Sequence, residues 1–298
     1  MSTIIINGNG TLTKGNGNIQ LYDLNEELSK HDLTQLILAG AINVHLNVEP
    51  NCKENQLLAN VESNIFPLLD IINKNGKLTI GFKHDTNIST KNNIEIVLQV
   101  PSLESLSIVG SGDIKGNYFG SRLQTNISGS GDIQLYGNVE NLEAQIQGSG
   151  DLKLKNLTAQ NANLTVIGSG DISISVIQAA NAKIMGSGDI NIFGTTLKIN
   201  KQVMGSGDVN VNKNYIAQLS SFNFNDILKN LKNPENTSSQ SHNKNSYNDI
   251  TKNQDGSISA TQISNGKNTL IIDNNNFDNF NNRQKEKESL IDKIKKFF

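Results

Sequence analysis

The 298 residues carry 26 Lys and Arg against 28 Asp and Glu, a net charge of −2, with 36% hydrophobic residues and no Trp. That balance excludes a general nucleic-acid binder, which needs clustered Lys and Arg against phosphate. The single cysteine, Cys52, excludes an intramolecular disulfide framework and a Cys-based zinc site. No run approaches the ~18 consecutive apolar residues of a membrane helix, and 46 Asn with 25 Gly favour many short strands and turns over a thick globular core.

Residues 1–14 read as an N-terminal segment or cap. Ile4-Ile5-Ile6 is their apolar run, far short of the ~7–15 residues of a secretory signal. The expectation is a chain that stays in the cell, leaves by another route, or has its true start elsewhere than at this Met1. From Gly15 a repeat begins in degenerate form. Gly15-Asn16-Gly17-Asn18-Ile19-Gln20-Leu21-Tyr22 parallels Gly129-Ser130-Gly131-Asp132-Ile133-Gln134-Leu135-Tyr136, and Gly40-Ala41-Ile42-Asn43-Val44 is a more divergent copy. The pattern stays irregular to about residue 100 and is regular over 103–213.

There the tetrapeptide Gly-Ser-Gly-Asp occurs six times, starting at Gly110, Gly129, Gly148, Gly168, Gly186 and Gly205, with spacings of 19, 19, 20, 18 and 19. Period-two stretches flank each copy, such as Ala144-Gln145-Ile146 before and Leu152-Lys153-Leu154 after. Alternation of this kind means strands with one buried and one wet face. The glycines between them suit a chain corner, with Gly150 and Gly170 expected at positive φ. A unit of ~19 residues cannot bury its own apolar face, whereas stacked units can. Antiparallel hairpins would place identical corners at alternating ends, so near-identical corners favour translation. The fold class is therefore all-β: a parallel β-helix or β-solenoid over 15–213 with ~19-residue rungs.

After Lys213 the pattern stops. Residues 214–232 contain a candidate helix capping the open end, with Phe222, Phe224, Ile227, Leu228 and Leu231 near helical spacing. Residues 233–257 read as a disordered linker. Residues 258–272 read as a short hairpin turning at Asn265-Gly266, and 273–282 as a second linker. Over 283–298, Leu290, Ile291, Ile294, Phe297 and Phe298 share one face of an amphipathic helix with net charge +3. That helix docks on protein or makes a peripheral membrane contact.

The course from the Gly-x-Gly-Asn start, through Leu36-Ile37-Leu38-Ala39-Gly40-Ala41-Ile42-Asn43-Val44, Asn64-Ile65-Phe66-Pro67-Leu68, Gly76-Lys77-Leu78-Thr79-Ile80 and Val100-Pro101-Ser102-Leu103-Glu104-Ser105-Leu106 to the Gly-Ser-Gly-Asp array, resembles the bacterial putative auto-transporter adhesin, head GIN domain family. The resemblance covers about residues 15–213. It implies a β-helical fold and an envelope or secreted location. It brings no catalytic residues with it, and the visible N-terminus departs from it by lacking an export signal.

In a stack, Asp113, Asp132, Asp151, Asp171, Asp189 and Asp208 form one column with rungs ~4.8 Å apart. Two unit charges at that distance repel by about 0.9 kcal/mol in water, so something must offset them. Backbone N–H groups at the glycine corner are the structural answer. A cation ladder is the functional alternative, but Ca²⁺ takes ~6–8 oxygens and a second ligand set is not evident. Asn18 and Asn43 at the equivalent positions favour the structural answer. His31, His45, His84 and His242 show no metal-ligand spacing, Cys52 has no assigned base, and Arg122 is the single Arg of the array. No catalytic residue, cofactor or metal is implied. The functional expectation is a non-enzymatic solenoid presenting an extended polar surface to a protein or glycan, adhesin-like or an envelope-associated scaffold. The alternatives are an intracellular interaction or effector protein with a disordered tail, and a polysaccharide-acting β-helix enzyme.

Overall fold

Strand alternation and paired glycines build the molecule one rung at a time, and a computed structural model describes residues 3–7, 11–52, 54–195, 198–213, 222–232, 248–252 and 258–262. The chain divides into two units, Met1–Asn236 and Thr237–Phe298. In chain order the first unit opens with β1 (Thr3–Asn7), β2 (Leu12–Lys14), β3 (Ile19–Asp23), α1 (Asn25–Ser29), β4 (Gln35–Ala39), β5 (Asn43–Val48) and β6 (Gln56–Glu62). A 3-10 turn at Phe66–Leu68 leads to β7 (Leu69–Lys74), β8 (Lys77–Phe82), β9 (Thr86–Thr90) and β10 (Glu95–Val100). The regular array follows as β11 (Ser105–Gly110), β12 (Ile114–Gly129), β13 (Ile133–Gly148), β14 (Leu152–Gly168), β15 (Ile172–Gly186), β16 (Ile190–Phe193), β17 (Lys198–Gly205) and β18 (Val209–Asn212).

The array is a parallel β-solenoid of about six turns. Each rung is a strand, a Gly-Ser-Gly-Asp corner and a second strand, and successive rungs pair in parallel with like residues in register. Ile108 lies on Ile127, Ile127 on Ile146, Ile146 on Val166, Val166 on Ile184 and Ile184 on Val203. Up to Ile184 these side chains are buried. Each such burial is worth ~1.5–3 kcal/mol against exposure, so the column is a major source of stability that no single rung could supply.

Below the array, rung order departs from chain order. The corner between β4 and β5 sits directly beneath the first Gly-Ser-Gly-Asp corner, with β4 under β11 and β5 under β12. The Gly40-Ala41-Ile42-Asn43 corner is thus a true rung. Beneath it lie β8 and β10, also parallel, although they come later in the chain. Beneath those, β7 and β6 run the other way, antiparallel to β8 and β10. β3 pairs antiparallel with β6. The expected rung at Gly15–Tyr22 is therefore a closing strand outside the parallel stack. It alternates like a rung, but its pairing partner β6 runs against the stack, and a period-two pattern does not encode the direction of a neighbouring strand. β1 and β2 flank β9 in a separate three-stranded sheet.

Two glycines per corner serve two different purposes. The first, such as Gly148 at φ 138°, has a conformation that L side chains rarely adopt. The second, such as Gly150, is not at positive φ, contrary to the expectation for Gly150 and Gly170. There the requirement is space, since a Cβ on Gly150 would lie 2.0 Å from the Gly131 carbonyl oxygen of the rung below.

The helix α2 (Phe224–Lys232) forms where the apolar spacing places it, and Asn223 caps it by accepting the Asp226 N–H at 3.3 Å. It does not cover the last rung. Phe224 is buried against Leu58 of β6 and Val97 of β10, with Ile227, Leu228 and Leu231 beside them. Just before it, Asn117 of β12 holds both backbone groups of Phe222, accepting its N–H and donating to its carbonyl, each at 2.8 Å. The helix is a side strap, because its apolar stripe matches an apolar outer patch of the early strands.

In the second unit, β19 (Asn248–Lys252) pairs antiparallel with β20 (Ile258–Gln262). The described partner of Ile258 thus precedes it, within the segment read as linker, while Asn265-Gly266 and the rest of the 258–272 hairpin lie outside the described residues. Asp255-Gly256 lies between the two strands, a hairpin dipeptide as strong as Asn265-Gly266. The remainder of both linkers and the 283–298 helix, with Leu290, Ile291, Ile294, Phe297 and Phe298, lie outside the described residues.

Replacing Gly150 by Ala should cost about 1–3 kcal/mol through overpacking, visible as a lower urea midpoint with an unchanged slope. An unaltered midpoint would mean that the corner stacks with room to spare.

Candidate functional site

The corner column carries the six aspartates, and their mutual arrangement follows from register. Each carboxylate below the top rung accepts the backbone N–H of the Asp one rung higher. Asp113 Oδ1 accepts from Asp132 at 2.9 Å, Asp132 from Asp151 at 2.9 Å and Asp151 from Asp171 at 3.0 Å. Asp171 accepts from Asp189 at 2.7 Å and Asp189 from Asp208 at 2.8 Å. The donor is thus the next rung's Asp rather than a glycine of the same corner. A charge-assisted N–H bond is the stronger kind, and here it ties neighbouring rungs together.

Lys153 adds a countercharge. Its ammonium bonds Asp132 and lies 3.7 Å from Asp151. The hydrogen bond to Asp132, with the field of the nearby aspartates, outweighs partial burial and holds the Lys153 ammonium above the usual lysine range. Among the described residues, no group of three or more His, Cys, Asp or Glu converges as a metal site.

Beside the corner run polar columns. On the approaching strands, Ser105, Gln124, Glu143, Asn163, Asn181 and Asn200 stand in register. The Asn181 amide donates to Asn163 and the Asn200 amide to Asn181, both at 2.8 Å. On the departing strands, Lys115, Gln134, Lys153, Ser173, Asn191 and Asn210 form a second column. Asn210 donates to Asn191 at 3.3 Å. Bonded amides lose rotamer freedom before any ligand arrives, which lowers the ordering cost of binding. Next to the corner, Val109, Met185 and Met204 of one outward column are exposed.

The remaining sequence candidates are scattered. His84 pairs with Asp85 at 2.8 Å on the surface. His45 lies 3.8 Å from Glu95 and stacks at 6.1 Å on Phe222. Burial pushes the Cys52 thiol up, away from thiolate chemistry. Arg122 stands in register with Asn141, away from the aspartate column.

The sequence pattern does not single out Glu62, a buried carboxylate at the closed end. It accepts the N–H of Gly17 at 2.6 Å, of Lys91 at 2.7 Å and of Asn92 at 3.0 Å. Burial raises its pKa, but these bonds outweigh burial and leave it below the ordinary glutamate range. Glu62 thereby pins the Gly15–Asn18 turn and the start of the β9–β10 connection to β6.

Residues 32–215 match the family described as putative auto-transporter adhesin, head GIN domain. The chain belongs to that family. Among solved structures, a putative adhesin from Bacteroides fragilis is 19% identical with a TM-score of 0.53, covering 67% of this chain and 99% of that one. A putative adhesin from Parabacteroides merdae is 20% identical over 68% of this chain and 99% of that one, with a TM-score of 0.48. A putative lipid binding protein from Parabacteroides distasonis is 23% identical over 68% and 100%, with a TM-score of 0.45. Among curated proteins the chain finds no match. The head GIN match begins just before β4 and ends just after β18, so its bounds coincide with the parallel stack.

Two measurements test the polar centres. Asp171→Asn keeps an oxygen acceptor for the Asp189 N–H and removes a charge, so its stability should lie within ~0.5 kcal/mol of the parent. Asp171→Ala should lose ~0.5–1.5 kcal/mol. Equal losses in chemical denaturation would show that the ladder depends on charge rather than on the acceptor.

Glu62→Gln turns an amide donor toward backbone donors and should cost ~1–3 kcal/mol at pH 7. Because the folded pKa is depressed, the ionised Glu62 contributes stability above the unfolded value of ~4.3. That contribution is lost as pH falls through the lower folded value. Denaturation between pH 5 and 3 (~1 unit either side of a free glutamate) should therefore fall less steeply in Glu62→Gln. Parallel profiles for the two proteins would count against the depressed carboxyl.

Proposed function

We propose that this chain is a non-enzymatic, adhesin-like solenoid whose outward polar columns bind a repetitive polymer, glycan or extended protein. The supporting observation is the translation of one amide, hydroxyl or ammonium set from rung to rung beside the aspartate corner. A periodic surface gains by multivalency what each contact lacks alone. Membership of the head GIN domain family supports an adhesin-like scaffold. Enzyme chemistry draws no support from the array. A lyase-type site needs convergent acid, base and cationic groups, and here the aspartates below the top rung are engaged with backbone N–H groups while Arg122 stands apart.

The test is direct binding of the full chain to immobilised polysaccharides and extended matrix proteins. The triple variant Asn163→Ala, Asn181→Ala, Asn200→Ala should bind at least ~10-fold more weakly, equivalent to ~1.4 kcal/mol, with its fold intact by circular dichroism. Retained affinity in the triple variant would move the site off this column. Release of new reducing ends from a bound polysaccharide would defeat the non-enzymatic reading.

A further inference from the structure

Among the described residues the solenoid is closed at one end by antiparallel strands, and its last rung at the other end is built like the Gly-Ser-Gly-Asp rungs beneath it. At each of five junctions between Gly-Ser-Gly-Asp corners the same bonds recur. The lower corner's first glycine carbonyl accepts two N–H groups of the upper corner, as Gly186 does from Ser206 at 2.9 Å and Gly207 at 3.4 Å. The lower Asp carboxylate accepts the upper Asp N–H. The residue after the lower Asp donates to the upper Asp carbonyl, as Ile190 does to Asp208 at 2.9 Å. In the last rung the same groups are the Gly205 carbonyl, Asp208 Oδ1 and the Val209 N–H, and among the described residues none has a next rung. Beside them Val203 and Met204 are 44% and 55% exposed.

We infer that this terminal rung is a docking edge for an extended partner segment of the pattern apolar-x-Gly-x-Gly-x-apolar, added as one further parallel strand-corner-strand. The inference is independent of the polar-column binding reading, and it rests on continuity with the inter-rung interface. The glycine requirement is steric. At the five junctions an added Cβ would lie 2.0–2.3 Å from a carbonyl oxygen at the first glycine and 2.0 Å at the second. The apolar positions follow from register, since one falls on Val203 and the other on Val209. Edge-strand addition of this type takes its affinity from main-chain hydrogen bonds and its selectivity from side-chain fit.

Lys201 regulates access. It occupies an inward column that holds Leu106, Thr125, Ala144, Leu164 and Ala182 in the rungs below. Its ammonium turns across the core end and donates to the Val209 carbonyl at 2.6 Å. An inward-facing charge on an edge discourages indiscriminate pairing, and an arriving segment must displace it.

The probe is a fluorescent peptide copying Ile199–Lys213, titrated into the full chain by anisotropy. Saturable one-to-one binding is expected, with the peptide carrying both Gly205→Ala and Gly207→Ala at least ~30-fold weaker, as expected of backbone-matched recognition. Lys201→Ala in the protein should tighten binding several-fold, and Asp208→Ala should weaken it ~5-fold through one lost acceptor. No binding below ~1 mM, or equal binding of the two peptides, overturns the inference. A chain that dimerises by sedimentation and excludes the peptide also overturns it, because the occupant is then a second copy.

Discussion

Everything in the array depends on how closely one corner can lie on the next. Parallel rungs separated by ~4.8 Å leave no room at the corner for a side chain pointing along the stack. The carbonyl of the lower glycine fills the place where a Cβ would be, and its oxygen instead collects two N–H groups from above. Glycine is therefore demanded twice per rung, at the first position by conformation and proximity together and at the second by proximity. The serine between them has no such constraint, and Ala41 replaces it in the Gly40 corner. Once the corners are seated, register is fixed, and every inward column is aligned without further instruction.

Register in turn creates an electrostatic conflict, because it stacks six aspartates. The structure meets it by giving each carboxylate below the top rung an N–H from the rung above, with Lys153 added among the lower three. A net hydrogen bond to a charged group is worth ~1.5–3 kcal/mol, which exceeds the ~0.9 kcal/mol repulsion of a solvated neighbour pair. The ladder is thus sustained by backbone donors that the corner geometry supplies.

What the sequence made legible was whatever repeats. Six identical corners and the alternation around them specify a parallel stack, and even the divergent Gly40 corner is readable because it meets the Gly110 corner at the same glycine position. Direction and seat were not legible. Gly15–Tyr22 has the repeat's residues but runs antiparallel on β6, and β8 with β10 slip beneath β4 and β5 although they come later. Glu62 finds Gly17, Lys91 and Asn92 across long sequence separations, which no local pattern reports. The apolar stripe of α2 announces a helix but not that Leu58 and Val97 form its bed. Asn117, which holds Phe222, looks in sequence like one more polar strand residue.

The two ends of the stack show opposite answers to one hazard. A solenoid exposes unpaired strand edges at both ends, and such edges recruit other chains. At the lower end β6 and β7 reverse direction, so the parallel hydrogen-bond pattern is not continued, and β3 covers β6 in turn. Glu62 then ties the Gly15–Asn18 turn across that closure. At the upper end, among the described residues, direction is not reversed, the acceptors of the corner keep the arrangement seen at every junction below, and Lys201 screens the core. A fold that blocks one end with reversed strands and, among the described residues, guards the other with one ammonium retains a graded barrier there. The displaced Lys201 loses one carbonyl bond and regains water, while an arriving strand gains the whole set of junction bonds, so the barrier selects for partners able to make that set together.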